Sequence, residues 1–399
     1  MAYDVAALRT RFPALSEGAA HFDGPGGSQV PDAVAGAVAA AMTAAVANRG
    51  RVTAAERRAD AIVLAARRAV ADLIGVDPGG VVFGRSMTAL TYELSRALAK
   101  TWGPGDEVVV SRLDHDANIR PWLSAAAAAG ARVRWAELDP ATGELPLDAV
   151  AAVVGERTRL VALTGASNLI GTRPDVAAIA GLAHGVGALV YLDGVHLTPH
   201  APVDVTLLGA DFYAWSPYKL FGPHCGVVAA APELLSGVQP DKLAPSSDAV
   251  PERFELGTLP YELLAGVSAA VDFLAGLGVG ATRRERVLDA LRAVGTHEAT
   301  LAGRVEEALG DLPEVTLHSR AAERTPTLLL TFSGRAAGEV AAQLAAEGVN
   351  APAGNFYALE ASRALGLGDA GGLRVGISAY TDDHDVDRLL GALTRALRR

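Results

Sequence analysis

Cysteine is almost absent from this chain. Cys225 stands alone among 399 residues, which excludes an intrachain disulfide and any zinc-finger spacing, and fits a reducing cytoplasm. Positive charge is also in deficit. Against 45 Asp and Glu there are 35 Lys and Arg, a net charge of −10, which argues against nucleic acid or an anionic membrane as the main partner. No apolar run is long enough to span a bilayer: the least charged stretch, residues 33–47, is short and alanine-rich and reads as a packed helix. The N-terminal Met-Ala-Tyr-Asp-Val lacks the basic region and apolar run of a signal peptide. Missing too is a glycine-rich dinucleotide fingerprint after any expected strand. Gly185-Val186-Gly187 precedes one instead, which disfavours a nicotinamide-binding domain.

What remains describes a folded globular protein. Half the residues are hydrophobic and 20% are charged, and the length suits a large core and two domains. Residues 1–20 read as an arm or short helix. Residues 33–77 are mostly helical, broken at Asn48-Arg49-Gly50-Arg51, where two arginines beside a glycine suit either an anion contact at a dimer interface or a solvated loop. From residue 81 strand, loop and helix alternate, with strands expected at 81–83, 107–111, 132–137, 160–164, 189–192, 212–215 and 227–230. Helices between most of them imply a mainly parallel sheet. After residue 257 the pattern changes. Helices at 262–277 and 282–309 lead to a strand at 327–332, a helix at 338–347, a strand at 373–378 and a closing helix at 383–397. This divides the chain into an arm (1–20), a large domain (21–257) and a small α+β domain (258–399).

The chain is organised around Tyr213-Ala214-Trp215-Ser216-Pro217-Tyr218-Lys219-Leu220-Phe221-Gly222-Pro223. An apolar strand stops at Ser216-Pro217, and one lysine follows in an apolar turn. Such a lysine is costly to keep charged, so its amine becomes nucleophilic, the property of a Schiff-base lysine. On those residues alone a snorkelling lysine beside a turn is the preferred reading. Upstream, an apolar strand ends in Asp193, where α/β sheets place ligands. A carboxylate that keeps a pyridine nitrogen protonated, together with a Schiff-base lysine, is what pyridoxal phosphate requires. Arg85-Ser86-Met87-Thr88 lies between a strand and a helix, and the free N–H groups of a helix start suit a phosphate.

Asp193-Gly194-Val195-His196, then Ser216 to Pro223, then Arg253-Phe254-Glu255-Leu256-Gly257-Thr258, in that order, resemble the class V aminotransferases, closest to the cysteine desulfurase and selenocysteine lyase branch. The matching stretches run from Phe22-Asp23-Gly24 to Leu373-Arg374, nearly the whole chain. The resemblance implies an α/β protein of the pyridoxal phosphate-dependent transferase fold type I, with a mainly parallel seven-stranded sheet in the large domain. It implies pyridoxal 5'-phosphate held by Lys219, with Asp193 at the ring nitrogen and His115 stacked on the ring and able to move protons. Met87, Thr88, Ser216 and Tyr218 fall at the phosphate, and one hydroxyl of the family's Gly-Thr-Thr turn is lost at Met87. Thr258 would reach the phosphate of a second subunit, making a homodimer with shared sites.

Asn168 matches a residue near the cofactor oxygen and the substrate carboxylate, although an asparagine there also suits a turn. His196 stands where the desulfurases have glutamine and is expected at the cofactor's phenolic oxygen. Arg374 matches the arginine that takes the substrate carboxylate, its plainer role being a surface ion pair. A metal at His196 and His200 is discounted, because Pro199 interrupts a helix there and no third ligand suggests itself. The glycine-rich loop at 22–28 reads as a turn, and by resemblance it lines the site's mouth.

The resemblance breaks at the sulfur acceptor. A desulfurase needs a thiolate on the loop at 348–358, and by spacing Tyr357 falls at or near that place. Cys225 reads as a buried small residue. The expected activity is therefore β-elimination from a cysteine-type or S-conjugated amino acid through an external aldimine, without persulfide chemistry. Transamination and epimerisation are the alternatives within the family, and a non-catalytic scaffold or sensor stands against Lys219, Asp193 and Arg374 all being present.

Overall fold

The computed structural model describes residues 3–398; the arm and the small domain, as expected from the sequence, each begin or end just outside that range. Thirteen strands are present among the described residues: β1 (Ala20–His21), β2 (Val81–Gly84), β3 (Glu107–Ser111), β4 (Arg132–Ala136), β5 (Thr158–Thr164), β6 (Leu189–Asp193), β7 (Phe212–Trp215), β8 (Gly226–Ala230), β9 (Val315–Leu317), β10 (Thr327–Phe332), β11 (Val349–Asn350), β12 (Ala353–Gly354) and β13 (Gly372–Gly376). Seven form one sheet in the order β2-β8-β7-β6-β5-β3-β4. Only β8 runs against its neighbours, pairing antiparallel with both β2 and β7. The other six strands therefore point the same way, and their C-terminal ends share one edge.

Both faces of this sheet are covered, and its central strands are accordingly apolar throughout rather than alternating. Tyr191, Phe212 and Ala214 pack on one side with Trp122 and Leu94; Val190, Leu192 and Tyr213 pack on the other with Val63, Leu73 and Leu264. A second sheet, β12-β13-β10-β9, is built by the C-terminal part. Its core joins Leu328, Leu330, Val375, Leu389 and Leu393.

The two cores do not divide at residue 257. The helix Tyr261–Ala275 buries Leu264, Val267, Val271 and Leu274 in the large core. The exchange falls inside one long helix, Arg283–Leu309, started by a Thr282–Glu285 capping box. Val287, Leu291 and Val294 lie in the large core, and Leu301, Val305 and Leu309 in the small one. At the other end of the chain, Ala20 and Phe22 join the small core, because β1 pairs in parallel with β11. Periodicity identifies such helices but carries no signal of which apolar face serves which core.

Candidate active site

The shared strand edge opens into a cavity of about 570 Å³ whose wall includes Met87, Thr88, His115, Asn168, Asp193, His196, Ser216, Tyr218, Lys219, Tyr357 and Arg374. The structure thus gathers ten of the eleven candidate residues from the other elements onto one surface along with Lys219. Thr258 is the exception. It is exposed and stands off the cavity wall.

Each group is aimed by its local structure. Asp193 ends β6 and is buried, its Oδ1 accepting from Val195 N at 2.9 Å. Burial pushes its carboxyl up to about 6, with Lys219 opposing the shift. Lys219 closes the turn after β7 and donates through Nζ to the Pro25 carbonyl. Burial, and then repulsion from Arg374, lower its amine to about 7. A large fraction is therefore the free base at neutral pH, which the sequence reading required of a nucleophile.

The helix Met87–Ala99 starts at this edge, N-capped by Ser86, whose Oγ accepts from Ala89 N at 3.1 Å. β8 passes directly beneath that start. A Cβ on Gly226 would stand 2.1 Å from the Ser86 carbonyl carbon and 2.3 Å from Met87 N, so only glycine permits the approach. Both Met87, which is buried, and Thr88, which is exposed, line the cavity.

His115 caps a short 3-10 turn: its Nδ1 accepts from Ala117 N at 3.0 Å. That contact leaves the proton on Nε2, and burial together with Lys219 and Arg374 lowers the imidazole to about 4, keeping it neutral. Behind it Asp114 is buried between Ser111 Oγ and Asn118 Nδ2, the latter at 2.7 Å, and Asn118 Oδ1 accepts from Trp122 Nε1 at 3.0 Å. Burial raises the Asp114 carboxyl to about 8, so it is protonated at neutral pH and completes a neutral network that holds the histidine turn.

Arg374 lies in β13 and is 3% exposed. Its Nη1 donates to the Asn168 carbonyl at 2.9 Å, and its guanidinium carbon lies 3.7 Å from the Phe356 ring centroid. It is not a surface ion pair. Burial lowers it to about 9 despite nearby Asp23. Phe356 is a wall residue the sequence reading passed over; its only signal was its place beside Tyr357. Asn168 Nδ2 donates to the Phe356 carbonyl at 2.9 Å, and Asp116 N donates to the Tyr357 carbonyl at 2.7 Å. These contacts seat the loop on the large domain. Phe356 and Tyr357 both adopt positive φ, 52° and 59°, a strained backbone for such side chains. Tyr357 is 73% exposed, and its ring centroid is 5.6 Å from that of His115.

In the 48–51 loop the two arginines differ: Arg51 is exposed, and Arg49 is held by carboxylates of the same chain. Arg49 is bound at 2.9 Å by both Asp60 and Glu252, and that pairing ties the loop and the helix Ala54–Ile74 to the 252–255 segment. Cys225 is buried and lies off the cavity wall. Among the described residues no group of three or more His, Cys, Asp and Glu is placed to hold a metal, and no helix is long and apolar enough to cross a membrane.

The donor set fits pyridoxal phosphate. A helix start with Thr88 and Ser216 suits its phosphate, the Asp193 carboxylate its ring nitrogen, and the Lys219 amine its aldehyde. Two buried atoms on wall residues have no partner, Arg374 Nε and Asn168 Oδ1. A ligand bearing a carboxylate and a hydrogen-bond donor satisfies both.

Comparison with known proteins agrees with this geometry. Residues 20–389 match the family described as aminotransferase class-V. An uncharacterized protein of Mycobacterium tuberculosis, MT3887, is 36% identical over 397 residues, 98% of this chain and 99% of its own length. The aminotransferase-like protein FGM3 of Gibberella zeae is 31% identical over 419 residues, covering 99% of both chains. Among solved structures, the cysteine desulfurase CsdA from Escherichia coli superposes with a TM-score of 0.88, covering 100% of this chain and 99% of that one at 29% identity.

Proposed function

The chain belongs to the class V aminotransferase family and is a pyridoxal phosphate-dependent enzyme, and from that premise we propose that it cleaves the carbon–sulfur bond of a cysteine-type or S-conjugated amino acid by β-elimination. The observation that carries this reading is the fate of the thiol. A desulfurase passes sulfur to a cysteine, and the single cysteine here is 2% exposed, with burial pushing its thiol up to about 12. Tyr357 occupies the loop over the site instead. A protonated, sealed thiol accepts no sulfur.

The cofactor, when bound, supplies an electron sink for the pair left at Cα. The chain's own groups do the rest. The Arg374 guanidinium takes the substrate carboxylate, with Asn168 beside it. Lys219 Nζ would hold the cofactor's aldehyde and, as a free base once displaced, would take the α-proton. The C–S bond breaks with its electron pair going to sulfur, which leaves as a thiol after protonation, and water converts the remaining fragment to pyruvate and ammonia. His115, neutral with its proton on Nε2, would cover the cofactor ring and could hand a proton to the departing sulfur. With the cofactor bound, Asp193 would keep the ring nitrogen protonated, His196 would meet the phenolic oxygen, and Met87, Thr88, Ser216 and Tyr218 would receive the phosphate. We assign Thr258 to the phosphate of a second copy, in a cytoplasmic homodimer.

The test is an assay of the reconstituted enzyme for pyruvate and released thiol with cysteine and S-substituted cysteines, alongside Lys219→Ala. Both products from the parent enzyme and neither from the variant establish the lyase. Ping-pong turnover with a keto acid and no pyruvate would replace it by an aminotransferase, the activity in the name of the Gibberella relative. Solvent deuterium at Cα without net turnover would indicate an epimerase. A persulfide on Cys225 would refute the reading outright.

A further inference from the structure

His196 reaches the cavity from the large domain, but its outer nitrogen is held by the small one. Nε2 lies 2.9 Å from Thr327 Oγ1 and 3.1 Å from Thr325 Oγ1, on the segment that opens β10. All three side chains are nearly sealed, at 4%, 0% and 3% exposure. Thr325 Oγ1 also donates to the Gly171 carbonyl at 3.3 Å, and Thr325 N donates to the same oxygen at 2.8 Å. Thr327 Oγ1 has Nε2 as its sole hydrogen-bond partner among the described residues. Nδ1 makes no hydrogen bond within those residues, and the ring lines the cavity.

The proton count then has one solution. A buried hydroxyl without an acceptor is costly. If Nε2 carried the ring proton, the Thr327 hydroxyl would have nowhere to donate. If Nε2 accepts from Thr327, every hydroxyl is satisfied and the ring proton sits on Nδ1. A second ring proton is opposed by burial and by His200, Arg374 and Lys219 around the ring. Asp193 lines the same cavity, and Glu298 is spent on His200, whose Nδ1 it meets at 2.8 Å.

We infer that Thr327, a small-domain residue, is a positioning residue that fixes the Nδ1–H tautomer of His196, so that this histidine presents a hydrogen-bond donor to an anionic oxygen in the cavity. Resting on the cofactor reading above, that oxygen is the phenolic oxygen of pyridoxal phosphate, and the histidine does the donor work of the desulfurase glutamine. The dependence on β10 makes the donor conditional on the small domain being docked against the site.

Two readouts test this. In cofactor-free protein labelled with 15N-histidine, the His196 ring signals, identified by their loss in His196→Gln, should show a protonated Nδ1 and a bare Nε2. Thr327→Val should move the proton to Nε2, Thr327→Ser should return it to Nδ1, and Thr325→Val should leave it on Nδ1. In reconstituted protein, a donor to the phenolic oxygen favours the form in which that oxygen carries full charge, with the adjacent nitrogen deprotonated. Loss of the donor in Thr327→Val should therefore raise the pH midpoint of the lysine-bound chromophore by about one unit, and Thr327→Ser should restore it. Protonated Nε2 in the parent protein overturns the inference whatever the spectrum shows, and so does an unmoved midpoint in Thr327→Val. A parent protein with Nδ1–H that forms no chromophore would count against the cofactor reading instead.

Discussion

Replacing Lys219 by methionine should make the cofactor-free protein more stable, and by an amount that depends on pH. The folded chain lowers this amine from 10.5 to about 7, while the unfolded chain leaves it near its ordinary value. Below pH 7 the lysine is charged in both states, and the folded protein bears the full cost of burying it. Between pH 7 and 10.5 only the unfolded chain holds the proton, so stability rises with pH and the cost fades. Above 10.5 it is gone. A drop of this size is worth on the order of 5 kcal/mol at its ceiling. Water reaches the amine through the cavity mouth, and Asp193 loses its nearby cation in the variant, so we expect about 2–3 kcal/mol. Urea unfolding of cofactor-free parent and Lys219→Met should show that gap near about pH 6.5 and little of it near about pH 10. Equal stability at both, or a gap that widens with pH, would refute the argument that burial rather than Asp193 sets this amine.

Other expectations follow from the same geometry. Arg374→Lys should keep the cofactor's absorbance but lower kcat/KM for the amino acid about 100-fold, because a point charge replaces a planar fork; unchanged kinetics would remove Arg374 from substrate binding. Glu360 accepts from Arg112 at 2.7 Å and Arg120 at 2.6 Å, on the helix Leu359–Ala364 directly after the Tyr357 loop. Glu360→Gln should cost about 1–2 kcal/mol in urea unfolding and raise KM more than it changes kcat, as the loop loosens. Tyr357→Asn should stabilise the fold by about 0.5 kcal/mol, since asparagine tolerates positive φ and little packing is lost from an exposed ring. Cys225 should resist thiol reagents until the chain unfolds, and Cys225→Ala should retain turnover in the pyruvate assay.

Much of this site is legible in the sequence. Lys219 and Asp193 sit at strand ends, and a strand end is marked by a local change from apolar residues to Ser-Pro or to Asp-Gly. The strands themselves needed only short apolar runs bounded by turn residues, which is why β2 to β8 fall within two residues of their expected bounds. The start of the helix Met87–Ala99 was visible in Ser86, an ordinary N-cap. Arg374 was legible only through resemblance, because a lone arginine in an apolar strand has no local signature that separates a ligand from an ion pair.

Other features depended on which distant segments meet. The antiparallel run of β8, the passage of the helix Arg283–Leu309 from one core to the other, and the seating of Phe356 on Arg374 are choices among faces that look equally apolar in one dimension. Arg49 illustrates the same limit: its partners, Asp60 and Glu252, lie far apart in sequence from each other. So does His196, whose proton is set by Thr327, 131 residues away. Local residue pattern determined the strands, the turns and the chemistry of the groups at their ends, because those depend on short-range backbone preferences. Only the tertiary structure decided burial, partner and protonation, because each of these is a property of the neighbours a side chain acquires when the chain folds.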